Sequence, residues 1–515
     1  MIATSQTLSS AAGLEILLDG GNAIDAAVTA AAVLAVVEPS MNGIGGDLLA
    51  IVHDGKTGRL YGLDSTGRSA YAATPAELAR RGFTEMPARG VLAVDVPGVV
   101  EGWHQLLTRF GTISLAKALE PAIRYAREGF PVAELMAHEW HVQAESLAAD
   151  RDTAETFLPH GRPLRHGEVF TNSRLARSLE YIARDGRDAF YTGTLAEAIV
   201  ADLKNRDGLL DLRDFAEHRA DWVETIHTNY RGYDLHEMPP STQGFVALEM
   251  LNILEGFDVK SLGHNSADYL HVVSEAKKIA FADRAAFLAD RDHMPSGTLQ
   301  MLVSKDYAQS RRGEVSMSKA APRYRSLDFA GKDVGDTIYL TAADGQGNVI
   351  SFIQSLFGSF GAGFVAGHTG ITLQNRGAGF TLERGHPNEL GPHKRPMHTL
   401  VPAMLMKDGK PLVSFGVMGG DNQAQAHAQI VVNIVDFGMH VQEAADSPRM
   451  RHMGTELALE SGIGSDVREA LEAKGHVVCD GRGHMGGYQA IFIDQDSGVL
   501  SGGSDLRKDG VAIGW

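Results

Sequence analysis

Apolar residues recur at helical spacing through much of the chain before residue 336, and shorter runs rich in β-branched and aromatic residues follow it. Such spacing is typical of helices that bury one face, because an α-helix repeats every 3.6 residues. Helices are therefore predicted at residues 9–18, 23–37, 75–81, 99–109, 115–128, 194–205 and 269–290. The second of these is rich in alanine and apolar nearly all round, so we expect it to be buried between other elements.

Strand-like runs concentrate after residue 336. Two of them, 337–343 and 348–355, flank Asp344-Gly-Gln-Gly347, whose residues favour a tight hairpin turn. Further strands are predicted at 48–53, 59–63, 412–416 and 489–494, with helices at 424–437 and 467–474. No Pro-rich, Ser-rich or single-charge run separates the two parts, so the chain is expected to form one globular unit.

The composition argues against one class of partner and indicates the kind of compartment in which the protein is found. The 515 residues are 44% hydrophobic, which is enough for a large core. The 64 acidic and 47 basic residues give a net charge of −17 without a basic stripe, so a nucleic-acid partner is not expected. The single cysteine, Cys479, excludes a disulfide framework within the chain; we interpret it as a core thiol that fits a reducing compartment.

The start of the chain has neither the basic region nor the apolar region of a signal peptide, so a cytoplasmic location is expected. The most apolar stretch, 24–37, is shorter than the roughly 20 residues that a membrane-spanning helix requires. It also contains Asp25 and Thr29. No membrane partner is therefore expected.

Three kinds of motif that often mark enzymes are missing or incomplete. The sequence has no Gly-x-Ser-x-Gly elbow of a Ser–His–Asp hydrolase. The glycines at 358–363 follow a strand, but their spacing differs from that of a dinucleotide-binding loop and no helix-forming run follows. His138 and His141 are spaced like two metal ligands on one helical face, but a third ligand is lacking nearby. Neither a cofactor nor a metal is predicted.

The Gly419-Gly420 pair has two interpretations. It follows a predicted strand and precedes a predicted helix, where successive backbone N–H groups can bind an anion. A glycine pair at such a junction can equally be an ordinary tight turn.

The segment 336–344, which reads DTIYLTAAD, carries the most specific signal in the chain. Together with Gly347-Asn348 and Ser355-Leu356, it resembles the start of the small subunit of γ-glutamyltransferases. Ordered matches to that family extend along nearly the whole chain, at 20–27, 43–46, 96–98, 230–233, 239–240, 251–254, 394–396, 419–420, 505–507 and 509–510.

This resemblance implies a fold and a processing event. Members of the family are N-terminal nucleophile hydrolases with an α+β fold, a four-layer αββα sandwich in which helices cover two antiparallel sheets. Their nucleophile is a threonine freed by autoproteolysis, which implies a cut between Asp336 and Thr337. The expected products are a large subunit, 1–336, and a small subunit, 337–515, which stay together because their strands share a core. A homodimer of such heterodimers is a further expectation.

A threonine hydroxyl becomes an effective nucleophile only when a base removes its proton. A free α-amine, whose unperturbed pKa is about 7.7–8.0, can do this at neutral pH. Because that amine exists only after the bond before Thr337 is broken, cleavage and activity are expected to arise together. The resemblance further places Ser355 against the Thr337 amine and assigns the amides of Gly419 and Gly420 to an oxyanion hole.

The residues that bind glutamate in typical members are not clearly kept. Where those members have an Arg in a Phe-Arg-Glu segment, this chain offers Arg68, slightly displaced. Their Ser–Ser pair is replaced by His398 and Thr399. Their acidic residue for the substrate ammonium is replaced by Gly379, and Arg376 stands where they have a neutral amide. Arg68, Arg376, His398 and Thr399 are therefore the candidate substrate-binding residues.

This exchange of charge predicts a substrate class. A substrate ammonium would meet Arg376 instead of an acid, which is repulsive at close range. We therefore expect a small-molecule amide whose acyl group carries a carboxylate and no neighbouring ammonium, such as oxamate or a dicarboxylate monoamide. The pattern resembles a divergent branch of the family with oxamate amidohydrolase-like and acylase-like members. The segment 381–391 is short for the family's lid, so an open pocket and a bias toward hydrolysis are expected.

Other functions stay open at this point. If glutamate recognition has moved to other residues, the chain is an ordinary γ-glutamyl hydrolase or transferase acting on glutathione or other γ-glutamyl amides. If it keeps the fold but never matures, it is a binding protein, although the intact Thr337, Ser355, Gly419 and Gly420 argue against this. A cofactor-dependent oxidoreductase is opposed by the lack of a nucleotide or metal motif.

Overall fold

Antiparallel strands form the centre of the molecule in the computed structural model, which describes residues 1–324, 336–481, 483 and 485–515, without the side chain of Asp336. In chain order the strands are β1 (Ile2–Thr4), β2 (Asp47–Asp54), β3 (Arg59–Ser65), β4 (Phe130–Pro131), β5 (Val169–Phe170), β6 (Asp221–Val223), β7 (Ile226–Tyr230), β8 (Tyr233–Glu237), β9 (Asp336–Ala343), β10 (Val349–Phe357), β11 (Ala403–Lys407), β12 (Lys410–Val417), β13 (Met450–Met453), β14 (Glu456–Leu459), β15 (Val477–Asp480), β16 (Tyr488–Ile493), β17 (Leu500–Ser504) and β18 (Val511–Ile513).

Helices lie before, between and after these strands. In chain order they are α1 (Thr7–Leu18), α2 (Ala23–Val37), α3 (Pro75–Arg80), α4 (Val99–Phe110), α5 (Leu115–Glu128), α6 (Glu134–Val142), α7 (Ala144–Ala148), α8 (Arg151–Phe157), α9 (Ser173–Asp185), α10 (Asp188–Tyr191), α11 (Thr194–Asn205), α12 (Leu212–Ala216), α13 (Gly244–Leu254), α14 (Val259–Leu262), α15 (Ala267–Phe287), α16 (Thr298–Leu302), α17 (Lys305–Arg312), α18 (Asn422–Val435), α19 (Val441–Asp446) and α20 (Ser465–Ala473).

Two large sheets pack face to face. The first has seven strands in the order β18-β1-β9-β10-β2-β3-β6, and the second has six in the order β17-β16-β12-β11-β8-β7. Neighbouring strands in both are antiparallel. Leu49, Ile51, Tyr339, Ile353 and Met404 belong to the buried core between the sheets. Alternation along each strand places these residues inward and leaves the opposite face to the helices.

Helices cover the outer faces of both sheets. Helices α1, α2, α4 and α5 pack on the seven-stranded sheet or on one another. Helices α13, α15 and α18 form the corresponding layer on the six-stranded sheet. Each amphipathic or apolar helix buries its stripe against a sheet face, which is why the layers alternate as they do. The fold is thus an α+β, four-layer αββα sandwich, as the sequence predicted.

Most predicted elements are confirmed. The helices at 23–37, 115–128 and 194–205 have the bounds predicted for them, and β9 and β10 form the predicted hairpin around residues 344–347. The helix predicted at 269–290 ends earlier, at Phe287, because Leu288 adopts an extended backbone. The predicted scarcity of strands before residue 336 is wrong, since β1 and β6–β8 were not recognised. These strands are only three to five residues long, too short for a clear alternating pattern.

The structure also bears on the expectations for Cys479 and for membrane-spanning helices. Cys479 lies partly buried in the short strand β15, so its interpretation as a core thiol is wrong. Burial and the nearby Glu456 and Asp480 raise the pKa of this thiol, which makes it less reactive. Within the ranges that the structure describes, no helix is both long enough and apolar enough to span a membrane.

Candidate active site

Thr337 lies near the start of β9, which pairs with β1 and β10 in the seven-stranded sheet, and the residue is only 1% exposed. Its Oγ1 donates a hydrogen bond of 3.3 Å to Ser355 Oγ on the neighbouring strand. From the other side, Gln423 Nε2 approaches the same Oγ1 to 3.5 Å, a distance at which the hydrogen bond is weak. The Thr337 hydroxyl is therefore held between Ser355 of the neighbouring strand β10 and Gln423 of the helix α18.

A β-bulge in β10 positions Ser355. The register shifts between Gln354, which pairs with Ile338, and Phe357, which pairs with Asp336, so two residues of β10 stand opposite Thr337 alone. Ser355 Oγ also accepts hydrogen bonds from Phe357 N, at 2.7 Å, and from an Arg376 nitrogen, at 3.3 Å. Phe357 itself has a φ of 80°, a strained value that is typical of residues at functional sites.

The Gly419-Gly420 pair forms the tight turn between β12 and α18. Both residues have positive φ, 116° and 58°, which glycine adopts without a steric penalty. Their amides donate to no acceptor among the residues that the structure describes, whereas their carbonyls bind Asn422 N and Gln423 N. Because Gln423 reaches Thr337, this turn lies on the side of the site where α18 begins.

Arg376 joins the same cluster from a short 3₁₀ turn that spans Arg376–Gly379. Its two terminal nitrogens donate to Thr399 Oγ1, at 2.9 Å, and to Ser355 Oγ, while the guanidinium stacks on the Phe357 ring at 4.1 Å. The side chain is 1% exposed, and its Nε has no hydrogen-bond partner within the described ranges. The buried Arg376 cation and the Thr337 hydroxyl thus bind the same oxygen, Ser355 Oγ.

The carboxyl groups near Arg376 compensate its charge only in part. Burial raises the pKa of Asp95 well above its usual range, with a further contribution from Asp47, which favours the neutral form of Asp95. Burial also raises the pKa of Asp47 to about 7, against the opposing effect of Arg376. The pKa of Arg376 falls to about 9 for the same reason, with Asp47 and Asp95 opposing, which still leaves it protonated at pH 7.

His398 and Thr399 have different surroundings. Thr399 contacts Arg376 directly, as described above, whereas His398 Nε2 lies 3.1 Å from Asp47 Oδ2. Burial, followed by the charges of Arg376 and Arg395, lowers the pKa of His398 well below its usual range, so this imidazole is neutral. The imidazole of His398 is therefore connected to the cluster through Asp47, while its backbone carbonyl accepts a hydrogen bond from Gln243 N.

The Arg68 side chain forms its contacts outside the Thr337 cluster. Its guanidinium pairs with Asp221 at 3.2 Å, and Asp221 also pairs with Arg291 and Arg395. None of the contacts described for Arg68 links it to Thr337, so the structure brings Thr337, Ser355, Arg376 and Thr399 together without it. The side chain of Asp336 lies outside the described residues, so only its place at the start of β9 is known.

Sequence reasoning missed several polar residues that support the cluster. Gln243 Nε2 donates to Thr399 O at 2.9 Å and to Gly420 O at 3.1 Å, which ties the two parts of the site together. Arg284 in turn binds Gln243 Oε1 and Asp421 Oδ1, each at 2.6 Å. Asp47, Asp95 and Gln423 were missed as well. A glutamine or aspartate outside a motif carries no sequence signal of burial, apart from the position of Gln243 shortly after the Pro239-Pro240 match.

Among the described residues of the uncut chain, Thr337 and Arg376 are almost fully buried, so the expected open pocket is not seen there. The segment 381–391, predicted to be a short lid, is fastened to the turn that carries Arg376. Asn388 Nδ2 donates to Gly379 O at 2.7 Å, and its Oδ1 accepts from Met397 N at 3.0 Å. These bonds hold the short segment over the site.

One group of side chains in the described residues has the composition of a metal site. His271, Glu275 and His476 are buried, with potential ligand atoms within 4.8 Å of one another. However, the two imidazoles already bind each other at 2.8 Å, and Glu275 pairs with Lys278 at 2.7 Å. This group does not involve His138 or His141.

The fold and the Thr337 cluster together define an N-terminal nucleophile hydrolase of the amidohydrolase or γ-glutamyltransferase type. Comparison with known proteins agrees, since the model of the family described as Gamma-glutamyltranspeptidase matches residues 9–515. The chain belongs to this family.

Individual relatives and a solved structure show how similar this chain is to particular members of the family. The chain is 40% identical to the "Glutathione hydrolase-like YwrD proenzyme" of Bacillus subtilis, over 100% of this chain and 98% of that protein. It is 34% identical to the "Oxamate amidohydrolase proenzyme" of Klebsiella pneumoniae, over 99% of this chain and 97% of that protein. Among solved structures, the cephalosporin acylase of Bacillus halodurans superposes with a TM-score of 0.94 at 40% identity, covering 100% of this chain and 95% of that one.

Proposed function

We propose that this protein cuts itself before Thr337 and then hydrolyses, with Thr337 as the nucleophile, an amide whose small acyl group carries a carboxylate. The family accounts for the reaction class, and the buried Arg376 beside Thr337 and Ser355 is the observation that supports the substrate class. The relatives named above include proteins called proenzymes, which agrees with a processing step.

The self-cleavage step follows from the position of the hydroxyl. Thr337 Oγ attacks the carbonyl carbon of residue 336, the peptide C–N bond breaks, and the hydroxyl proton passes to the departing amine. The ester that forms is hydrolysed by water, which leaves a carboxylate on residue 336 and a free amine and hydroxyl on Thr337. The 3.3 Å contact with Ser355 and the contact with Gln423 support a hydroxyl held in one orientation for this attack.

The same hydroxyl then serves in turnover. The new α-amine accepts the Thr337 hydroxyl proton as Oγ attacks the amide carbonyl of the substrate, and the proton passes to the departing amine as the C–N bond breaks. Water hydrolyses the acyl-enzyme ester. In this proposal the amides of Gly419 and Gly420 donate to the oxyanion, and their lack of acceptors among the described residues supports that role.

The charges near the nucleophile support an anionic acyl group. Arg376 is protonated near pH 7, burial favours the neutral form of Asp95, and the pKa of Asp47 is about 7, so these two carboxyl groups compensate the charge of Arg376 only in part. A substrate carboxylate would supply the missing counter-charge and satisfy the Arg376 Nε. Asp95 is the acid that could replace the lost partner of a substrate ammonium, but its burial favours the neutral form, which offers no charge to an ammonium.

An ordinary γ-glutamyl hydrolase or transferase is the second candidate, and the relative named as glutathione hydrolase-like favours it. The two candidates differ in one group on the substrate, the α-ammonium. The relative named for oxamate supports the first candidate, because oxamate has a carboxylate next to its amide and no amino group.

A pair of anilides separates the candidates. Glutaryl anilide and γ-glutamyl anilide differ only in the α-amino group, and kcat/KM is measured for both with the matured enzyme. We expect the glutaryl compound to be preferred about tenfold or more, because one charge-assisted contact is worth roughly 1.5–3 kcal/mol. A clear preference for the γ-glutamyl compound would refute the proposed substrate class and favour the second candidate.

Variants at two positions sharpen this test. Arg376→Gln should lose most of the preference for glutaryl anilide, since it removes the positive charge and keeps a donor. Adding Gly379→Asp should move the preference toward γ-glutamyl anilide, although a Cβ at Gly379 lies 3.0 Å from Met397 O and requires a local shift. The single variant therefore serves as the primary test, and its melting temperature shows whether the fold is retained.

A further inference from the structure

The segment 316–324 precedes the proposed cut by a short stretch of chain. Its residues 316–319, 322 and 323 are exposed, while Ala321 and Tyr324 are partly buried and Ala320 is buried. Few apolar side chains hold such a segment in place. Its conformation depends instead on polar contacts with α15 and with the end of α20.

Glu275 makes the central contacts. One carboxylate oxygen accepts hydrogen bonds from Tyr324 OH, at 2.6 Å, and from Ala321 N, at 3.1 Å. The other oxygen pairs with Lys278 at 2.7 Å, and Lys278 also donates to Ala321 O at 3.0 Å. The Glu275 side chain is itself 0% exposed, so this carboxylate is buried beneath a segment that is mostly at the surface.

Two further contacts fix the beginning of the segment. His271 Nε2 lies 2.7 Å from Ser316 O, while its Nδ1 bonds to His476. Lys474 Nζ donates to Met317 O at 2.6 Å, and Lys474 O accepts from Ala320 N at 2.7 Å. His271, Glu275 and Lys278 follow one another at intervals of four and three residues, so they lie on one face of α15.

A buried carboxylate stabilises a protein only when its partners are in place. Apart from Lys278, the partners described for Glu275 all belong to the segment 316–324. A buried apolar residue would pack at this position without the desolvation cost of a charge. The choice of glutamate is therefore explained by the fixed position that it gives to Ala321 and Tyr324.

We propose that Glu275, with His271 and Lys474, is an anchor that positions the chain before the cut and speeds self-cleavage without taking part in turnover. The proposal rests on the self-cleavage described under the proposed function. These are positioning residues, because they act on the reacting bond only through the chain between Tyr324 and Thr337.

The number of residues between the anchor and the proposed cut determines how much the anchor should change the rate of self-cleavage. With the anchor in place, eleven residues lie between Tyr324 and Asp336; without the whole anchor, the nearest helix end is that of α17 at Arg312, and twenty-three residues lie between it and Asp336. The entropic cost of closing a loop rises with its length, and a doubling of the length corresponds to about a threefold lower rate of bringing the ends together. Loss of the whole anchor is thus expected to slow self-cleavage about threefold.

The test compares two tyrosines that bind carboxylates of the same helix. Tyr324→Phe removes the bond to Glu275, and Tyr307→Phe removes the 2.8 Å bond from Tyr307 OH to Asp283, which does not contact the segment 316–324. The double variant Glu275→Gln with Tyr324→Phe removes the charge as well. Full-length chains are made by cell-free synthesis, and the fraction cut is followed over time on denaturing gels. The kcat of each fully matured protein is then measured.

The expected result is slower cutting in Tyr324→Phe, slower cutting by up to about threefold in the double variant, in which the contacts of His271 and Lys474 remain, and the wild-type rate in Tyr307→Phe. The kcat of the matured proteins should be unchanged. Cutting of the double variant at the wild-type rate would overturn the proposal, as would equal slowing in Tyr307→Phe, which would indicate a general loss of stability. If the wild-type chain is never cut, both the proposed function and the proposed anchor are wrong. If the wild-type chain is cut and the Tyr324 and Glu275 variants are cut at the same rate, only the proposed anchor is wrong.

Discussion

At the scale of residues, the site depends on a hydroxyl pair that the sheet holds at hydrogen-bond distance. Thr337 and Ser355 come from adjacent strands, and the bulge in β10 places Ser355 opposite Thr337. In the uncut chain, Ser355 contacts the Thr337 hydroxyl; its predicted contact with the free amine can form only after cleavage. The buried Arg376 touches Ser355 and Thr399, so the residue proposed to bind the substrate carboxylate also contacts the partner of the Thr337 hydroxyl.

The role of Ser355 can be separated from substrate binding. Ser355→Ala removes a hydroxyl that contacts Thr337, so kcat of the matured enzyme should fall much more than KM rises. Steady-state kinetics with glutaryl anilide provides the measurement, and Thr341→Val serves as the control. Thr341 also bonds to a serine across the sheet interface, Ser414, but does not contact Thr337. A change confined to KM would assign Ser355 to the substrate pocket instead.

Asp47 predicts a pH dependence for anion binding. Burial raises its pKa to about 7, so this carboxyl ionises as the pH rises through 7 and compensates the charge of Arg376. Competitive inhibition by glutarate should therefore weaken severalfold between about pH 6 and about pH 8. Asp47→Asn keeps groups that can bind Gly67 N and His398 but does not titrate, so the dependence that remains reports the Thr337 amine. Identical pH profiles in the two proteins would contradict this role of Asp47.

At the scale of elements, the turn before α18 is the feature that sequence described best. Its two glycines, the strand before it and the helix after it were all predicted, and each is confirmed. The turn is further held by Gln243, which binds Gly420 O and Thr399 O. That support comes from the beginning of α13, far away in the chain, and no local pattern indicates it.

The geometry of this turn can be tested with a matched pair of glycines. Gly419→Ala places a Cβ 3.2 Å from Gly486 Cα, whereas Gly409→Ala, in the β11–β12 turn, meets nothing within 4 Å. Both replace a glycine of positive φ, so each should lower stability by about 1–2 kcal/mol. Only Gly419→Ala should also reduce kcat, about tenfold or more, because it displaces the proposed oxyanion donors. Equal kcat values in the two variants would argue against that assignment.

At the scale of the whole molecule, strands from both sides of the proposed cut alternate within each sheet. In the seven-stranded sheet, β1 lies between β18 and β9, and β10 pairs with β2. In the six-stranded sheet, β8 pairs with β11. Separation of the two parts would therefore break both sheets and expose the core between them.

This arrangement predicts the behaviour of the matured protein. On a denaturing gel the wild type should give two chains, the smaller beginning at Thr337, and under native conditions they should co-elute. Thr337→Ala should remain a single inactive chain of about 55.2 kDa in the same native species. Intact mass, N-terminal sequencing and size-exclusion chromatography make these measurements. An active enzyme with an unbroken chain would contradict the mechanism, because it would have no free α-amine.

The sequence by itself indicated the family through ordered motifs, and the family implied the αββα layers and the roles of Thr337 and Ser355. The β9–β10 hairpin was indicated by local periodicity and turn chemistry, which are properties of consecutive residues. The same local information was insufficient for the short strands β6–β8, whose place in a sheet is fixed by pairing with β3 and β11. Strand pairing between distant segments is decided by packing, not by the segments themselves.

Only the tertiary structure decided which charged residues face Thr337. Arg68 and Arg376 were both candidate substrate-binding residues in the sequence, yet Arg68 pairs with Asp221 while Arg376 is buried against Ser355 and Thr399. The charge state of the site also depends on Asp47 and Asp95, whose pKa values rise because the fold removes them from water. Burial and through-space charge belong to the folded arrangement, so the chain order of these residues could not reveal them.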